Sequence, residues 1–584
     1  MKNKRYLFFE FFCPIIITSM MFFISGCADD GKKGENGRDG TSYSSVTDTS
    51  VIRQGVFLDS AVQGLEYESG DQFGITDEHG TFSYEVGKKV TFRIGNIVLG
   101  TAPANPEMTP LDLVTGADTY KNTTVTNMAR FLQSLDEDKN PDNGITIPKG
   151  AGNDKYIDFS LEPEDFEYEA KLLIDKIFSD QRDVVSASDA QQHFRLTLLD
   201  VPGSEIDVEL RELIDGLDKN IYPGVMIAIL TPSGNEWIRT SGVANIETNE
   251  KIDRYARVRV GSVTKTFTGM AVSQLVQEGK LSMDDTLEDW LPGIVPYPTP
   301  EEEASGTYTG YDSRKMTIRR LLHHTTGLYN FTSQLEMQWK LFFYTERQMT
   351  PEALVEIGAN NDPLSYPENL EWHYSNTNYV LLGMIIEAVT GNTYEEEVHR
   401  RFIEPLGLRF TNVPKTGDLG FPGKYAHGYF DMDNATGNNL GVANILVDIT
   451  SFEPSLTWSS GNIISTPSDL TKWIKAIAEG KLFDEFHQAN LFNDMFRLSD
   501  TSSLYYGYGI TKDTSANLLG HRGQIPGYDT AMFYNLDIKT SVVAIITRMI
   551  PGSYGDAQKL VLNYAMDILL GTYSGTQAGQ SHEP

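Results

Sequence analysis

Cysteine is nearly absent from this chain: 584 residues contain two, Cys13 and Cys27, too few for a disulfide framework. A chain this long can bury enough apolar surface without one. No HExxH pattern and no paired cysteines occur, so nothing points to a metal in the chemistry, and no cofactor is expected. Basic residues are scarce as well. Lys and Arg number 48 against 80 Asp and Glu, a formal net charge of −32, which disfavours nucleic acid as a partner and would not by itself attract an anionic bilayer. What is plentiful is apolar: 40% hydrophobic residues and 11% aromatics exclude general disorder and supply several cores.

The N-terminus carries Lys2, Lys4 and Arg5, then an apolar run from Tyr6 to Ile24 broken by Glu10 and Pro14, ending in Ile24-Ser25-Gly26-Cys27. The run is about long enough to span a bilayer, so length does not separate a cleaved signal from an anchor; the placement of Cys27 does. Small residues directly before that cysteine resemble the lipobox of bacterial lipoproteins. The resemblance implies a signal peptide over 1–26, lipidation of Cys27, and a mature protein without Cys13. Residues 27–50 are polar, with Gly31, Gly34, Gly37 and Gly40 at a period of three but no proline, and read as a flexible tether rather than a collagen helix. Ala28 after Cys27 favours the periplasmic face of an outer membrane, or the cell surface, within the cell envelope.

Residues 51–105 change to short alternating runs bounded by glycine, such as Gly80-Thr81-Phe82-Ser83-Tyr84 and Val90-Thr91-Phe92-Arg93-Ile94, which predict a small β-sandwich. The run Thr76–Tyr84 resembles carboxypeptidase-regulatory-like sandwich repeats of bacterial surface proteins. Residues 106–202 read as mostly helical, with apolar spacing around Val125–Leu132. The acidic stretch Asp136–Gly144 has oxygen ligands at alternate positions, yet Pro141 sits where a calcium loop needs glycine and no glutamate closes it, so it reads as a solvated turn. Residues 203–572 form the catalytic unit. A helix from Glu205 to Asn220, a hairpin through Val225–Leu230 and Trp237–Arg239, strands around Ala531–Tyr534 and Ser541–Ile546, and a helix from Asp556 to Leu570 predict an antiparallel sheet built from both ends of the unit. A helical region is inserted between them. Residues 573–584 are a polar tail.

Ser262-Val263-Thr264-Lys265 opens an amphipathic stretch, placing a hydroxyl and an amine three residues apart on one helical turn. Serine is a weak nucleophile until a base takes its proton, and lysine can be that base only if its pKa is lowered. Two later triplets supply partners. Tyr374-Ser375-Asn376 precedes the apolar run Val380–Ile386, and His521-Arg522-Gly523 follows Leu518-Leu519-Gly520. Tyr120-Lys121-Asn122 shows that each triplet alone is weak; SxxK, YxN and HxG in order, each on a plausible element, is a stronger pattern.

With Leu321-Leu322-His323-His324-Thr325-Thr326-Gly327 and Trp458-Ser459-Ser460-Gly461 added, residues 205–572 resemble the β-lactamase and penicillin-recognising serine hydrolase superfamily, in the branch of class C β-lactamases and secreted D-alanyl-D-alanine carboxypeptidases. The resemblance implies an α/β transpeptidase-like fold: an antiparallel sheet flanked by helices, with a helical insert. It also implies that Ser262 forms an acyl-enzyme, that Lys265 and Tyr374 move the protons, and that Asn376 bonds the substrate amide. His521 would line the edge strand against Tyr374, the backbone N–H groups of Ser262 and Gln524 would form an oxyanion hole, and Trp458, Arg522, Gly523 and Lys512 would border the cleft. A core position for Trp458 is the alternative. His323 and His324 are expected in loop packing.

The third triplet departs from the Lys-Thr-Gly of class C β-lactamases, which lowers the expectation of a dedicated β-lactamase. The carboxypeptidases place an arginine upstream to clamp a carboxylate, and here only Lys512 is available, a point charge that cannot make the bidentate contact. Strand alternation turns Arg522 away from His521. The leading expectation is an envelope D-alanyl-D-alanine carboxypeptidase-like hydrolase acting on a small peptide, amide or ester such as a peptidoglycan stem peptide. An esterase or D-aminopeptidase, a β-lactamase, and a lipid-anchored binding protein with an inactive hydrolase scaffold are the alternatives.

Overall fold

The computed structural model describes residues 51–572 except 154–155, 307, 344, 366–370, 432–445 and 550–555. The signal segment, Cys27, the tether and the tail 573–584 lie outside the described residues. No helix among the described residues is long and apolar enough to cross a membrane.

The sequence Gly224-Val-Met-Ile-Ala-Ile-Leu230 is apolar on both faces, as a strand covered on both sides must be. It pairs antiparallel with Glu236–Asn245 on one side and with Thr540–Ile546, from the other end of the chain, on the other. Tyr528–Asn535 and Leu518–Ile525 continue a nine-stranded sheet that ends in the short strands Ile510–Asp513, Leu504–Gly507 and Phe496–Arg497. Alternation divides the side chains between two cores. Met226, Val543 and Ile545 join Phe267, Met270 and Trp473 on the face covered by helices Thr264–Gln277 and Pro467–Ala478. Val225, Ile227, Ile229, Val542 and Ala544 join Leu210, Val561 and Leu569 on the face covered by Glu205–Asp215 and Asp556–Leu570. The first of these covering helices stops at Asp215, five residues before the expected Asn220, where Gly216 caps it.

The N-terminal strands form two small sheets, one of Thr81–Glu85, Ile52–Phe57 and Glu107–Met108, the other of Gln72–Ile75, Glu66–Ser69, Lys89–Ile94 and Ile97–Pro103. Phe57 and Phe82 of the first meet Phe92 of the second at ring centroid distances of 4.6 and 5.0 Å, the geometry of a small sandwich. In the acidic turn, Asp136 accepts from the backbone of Asn140 and Thr146 at 2.8 and 2.9 Å, and Asp138 accepts from Asn143 Nδ2 at 2.9 Å. Its carboxylates therefore organise the turn itself.

Helix Thr123–Ser134 works on two fronts. Met128, Phe131 and Leu132 enter the sandwich core, while Val125 and Ala129 enter the core beneath the large sheet beside Ala190 and Phe194. Packing thus continues across residue 203, where the catalytic unit was expected to begin. Polar contacts follow the same route. Gln133 Nε2 donates to buried Asp59 at 3.1 Å, His193 bridges Ser60 Oγ at 3.2 Å and Asp142 at 3.5 Å, and Lys539 of the large sheet reaches Asp142 at 3.4 Å. Arg195 Nε donates to the Ile568 carbonyl at 2.6 Å, closing the C-terminal helix.

Because Phe194 is enclosed between the helical segment and the sheet, Phe194→Ala is expected to cost about 3–5 kcal/mol. The loss should appear in one denaturant transition shared by tryptophan fluorescence and hydrolase activity. Two separate transitions would show that the segments fold independently.

Candidate active site

Ser262 lies in a single 3₁₀ turn, Gly261–Val263, immediately before helix Thr264–Gln277, rather than inside the helix. Gly261 permits this with φ +54°, and a Cβ there would stand 2.8 Å from the carbonyl of Gln524. Gly523 completes the fit. A Cβ on it would lie 1.9 Å from the Val260 carbonyl, so the edge strand rests directly on the turn and brings the Gln524 backbone alongside Ser262. Gly523 therefore makes space beneath the site and does not border the cleft.

Lys265 is wholly buried, and Nζ lies 3.0 Å from Ser262 Oγ, 2.6 Å from Asn376 Oδ1 and 2.7 Å from the Ser460 carbonyl. Burial alone pushes its pKa well below the usual amine range. A neutral amine has two N–H donors and one lone pair. Asn376 and Ser460 accept the two donors, which leaves the lone pair for the Ser262 hydroxyl proton. Tyr374 Oη donates to the same Ser262 Oγ at 2.9 Å, and burial holds its phenol protonated, far above the ordinary tyrosine range. Ser262 is thus flanked by a base and an acid.

Asn376 begins helix Asn376–Thr390, and both ends of its amide already have protein partners: Oδ1 takes Lys265 and Nδ2 donates to Thr332 Oγ1 at 3.0 Å. His521 reaches Tyr506 rather than Tyr374. Its Nε2 accepts from Tyr506 Oη at 3.0 Å while Nδ1–H donates to the Arg522 carbonyl. Burial lowers its pKa to about 3, so the ring is neutral. The ladder between Leu518–Ile525 and Ile510–Asp513 ends at the pair Thr511 and Gly520.

Two residues expected to border the cleft, Trp458 and Lys512, lie elsewhere, and Arg522 borders it only from the far side. Trp458 is a core residue, buried with its ring 5.7 Å from that of Tyr394. Lys512 sits over the Phe492 ring at 5.9 Å, because its position on a short paired strand directs it away from the catalytic side. Arg522 borders the opening but packs over Phe533, a residue of the opposite core, as alternation requires. The cavity, about 920 Å³, is lined by Ser262, Tyr374, Asn376, His521 and Gln524, and by an apolar arm of Leu341, Phe342, Trp372, Leu498, Leu504 and Tyr506. Tyr506 and the aromatic arm escaped the sequence analysis. The only signal for them was the dense run Tyr505-Tyr506-Gly507-Tyr508.

Residues 210–565 match the family model described as Beta-lactamase. The chain belongs to that family. It is 25% identical over 343 residues to penicillin-binding protein 4* of Bacillus subtilis, covering 56% of this chain and 68% of that protein. It is 26% identical over 278 residues to the teichoic acid D-alanine hydrolase of Staphylococcus aureus, covering 47% of this chain and 58% of that one. Among solved structures, a D-stereospecific amidohydrolase from Streptomyces sp. shares 29% identity at a TM-score of 0.52, over 61% of this chain and 97% of its own. The D-amino acid amidase of Ochrobactrum anthropi SV3 complexed with D-phenylalanine has the same fold at 23% identity and a TM-score of 0.54, over 63% of this chain and 100% of its own. The protein is therefore a β-lactamase-family serine hydrolase in fold and affiliation.

The lowered amine sets the pH dependence. With Lys265 as the base, activity is expected to be lost as pH falls through the folded-state pKa of that amine, which burial places well below the ordinary lysine range. A profile of kcat/KM still rising toward pH ~10, the ordinary lysine range, would show that the amine keeps its charge in the folded protein.

Proposed function

We propose that this protein hydrolyses amides or esters of D-amino acids through an acyl-enzyme on Ser262, releasing an uncharged leaving group. The observation that carries this reading is that the one Lys or Arg lining the cavity among the described residues, Arg522, borders the opening and packs over Phe533 rather than beside Ser262. His521 is neutral, Lys265 is buried and committed, Lys512 lies over Phe492, and Arg522 packs toward the opposite core. A substrate ending in a free carboxylate would then bury its charge without a partner, which is costly. This weighs against the carboxypeptidase expectation. The D-configuration is suggested by the names of the relatives, and the connected Ser262, Lys265 and Tyr374 weigh against an inactive scaffold.

In this reading Lys265 takes the Ser262 proton as Oγ attacks the substrate carbonyl. The backbone N–H groups of Ser262 and Gln524 stabilise the oxyanion. As the tetrahedral intermediate collapses, Tyr374 gives its proton to the departing nitrogen or oxygen, and the proton held by Lys265 replaces it. Water then attacks the acyl-serine, its proton returning through the same pair to Ser262 Oγ. The apolar arm suits a hydrophobic side chain or acyl group.

Treatment with a fluorophosphonate is expected to give one adduct, on Ser262, that is lost in Ser262→Ala. In a substrate panel, D-phenylalanine amide and short D-amino acyl esters should be turned over with kcat/KM roughly 10- to 100-fold above that for a muropeptide ending in D-Ala-D-Ala, the worth of a charged hydrogen bond left unmade. Equal or faster release of D-alanine would sink the neutral-leaving-group reading.

We further propose that lipid on Cys27 tethers the enzyme to a membrane of the cell envelope. The full-length protein should partition with the membrane fraction and Cys27→Ala should not; membrane association that survives the substitution would refute the anchor.

A further inference from the structure

His324 is the most enclosed titratable group near the site for which the chemistry above has no use. It caps the short helix Ile318–His323 in the left-handed conformation, φ 58°, and has no exposed surface. Its backbone carbonyl accepts from the N–H of His373 at 2.9 Å, and its Nδ1 accepts from the N–H of Ser375 at 3.3 Å. The residues immediately before and after Tyr374 are therefore both hung on one residue. The imidazole itself packs against the Tyr374 ring, centroids 4.5 Å apart, and against Tyr506 and Tyr379 at 4.8 and 5.1 Å.

The hydrogen bonds also fix its protonation. Asn378 Nδ2 donates to the same Nδ1 at 3.2 Å, and Thr326 Oγ1 anchors that amide by donating to Asn378 Oδ1 at 2.7 Å. A nitrogen that accepts twice carries no proton, so the ring is the neutral Nε2–H tautomer. That N–H is buried and meets no acceptor among the described residues. Burial, with Lys265, His521 and His323 around it, keeps the ring from charging.

We propose that His324 is a positioning residue for Tyr374, holding the phenol on Ser262 by gripping the backbone on both sides of it and packing against its ring. The proposal rests on the reading that Ser262 is the acylated nucleophile. Charged and titratable groups facing the ring are Lys265, His521, His323 and the phenols of Tyr374, Tyr379 and Tyr506. None is a carboxylate that would draw a second proton onto it.

Two substitutions separate the elements of the grip. His324→Phe keeps an aromatic ring but removes the Nδ1 acceptor, so Ser375 and Asn378 lose a partner. His324→Asn places Oδ1 at the same bond distance from the backbone as Nδ1, and asparagine tolerates positive φ. The measurement is the rate of fluorophosphonate acylation at Ser262 and the kcat and KM for D-phenylalanine amide, each per folded molecule as counted from a thermal melt. His324→Phe is expected to lower kcat and the acylation rate roughly 10- to 100-fold with KM little changed, as a misplaced catalytic group does. His324→Asn should restore most of that loss. Wild-type acylation per folded molecule in His324→Phe, or a His324→Asn no faster than His324→Phe, would overturn the positioning role while leaving the acyl-enzyme reading intact. A wild-type protein that takes no label on Ser262 would overturn both.

Discussion

A buried amine with no carboxylate beside it among the described residues holds its charge poorly, and the site is built around that constraint. Lys265 has two acceptors and one hydroxyl within reach, and this set matches the two hydrogens and one lone pair of a neutral amine. An additional carboxylate beside Nζ would restore the ammonium and remove the base. The burial of the helix Thr264–Gln277 on nearly every side, the carbonyl of Ser460 and the amide of Asn376 all serve to hold this one protonation state. The same enclosure explains why Tyr374 remains a phenol and His521 an uncharged ring. In the proposed reading, catalysis relies on groups kept neutral, and a cleft so built favours an uncharged leaving group.

The constellation was legible where chemistry is local. Ser262 and Lys265 are three residues apart, and that spacing fixes their approach before any tertiary contact forms. The turn-then-helix pattern after Tyr374 and the alternation that sends His521 and Arg522 to opposite faces were equally readable, as was the meeting of strands from both ends of the catalytic unit. Trp458 and Lys512 were not. Whether a tryptophan borders a cleft or fills a core depends on Tyr394, more than sixty positions earlier, and the outlook of Lys512 depends on helix Glu485–Asn493. Tyr506 and His324 were hidden for the same reason, since each acquires meaning only from partners far along the chain.

The N-terminal half was legible in type but not in attachment. Alternating runs identified strands and apolar spacing identified helices, yet nothing local announces that helix Thr123–Ser134 has two apolar faces serving two cores. A helix apolar on more than one side must be covered on each, and here the sandwich and the catalytic sheet provide the covers. Asp142, shared by His193 and Lys539, adds a polar tie across the same junction.

The pairing of strand Gly224–Leu230 with Thr540–Ile546 has a consequence for biosynthesis. Val225 finds its partner Ile546 about 320 residues later. At roughly 5–20 residues per second, the central strand waits tens of seconds for its neighbour to be made. Throughout that interval it can pair only with Glu236–Asn245 on one side, and closing so long a loop on the other is itself slow. The nascent catalytic unit therefore keeps one edge of its central strand unpaired until its C-terminal strands are made.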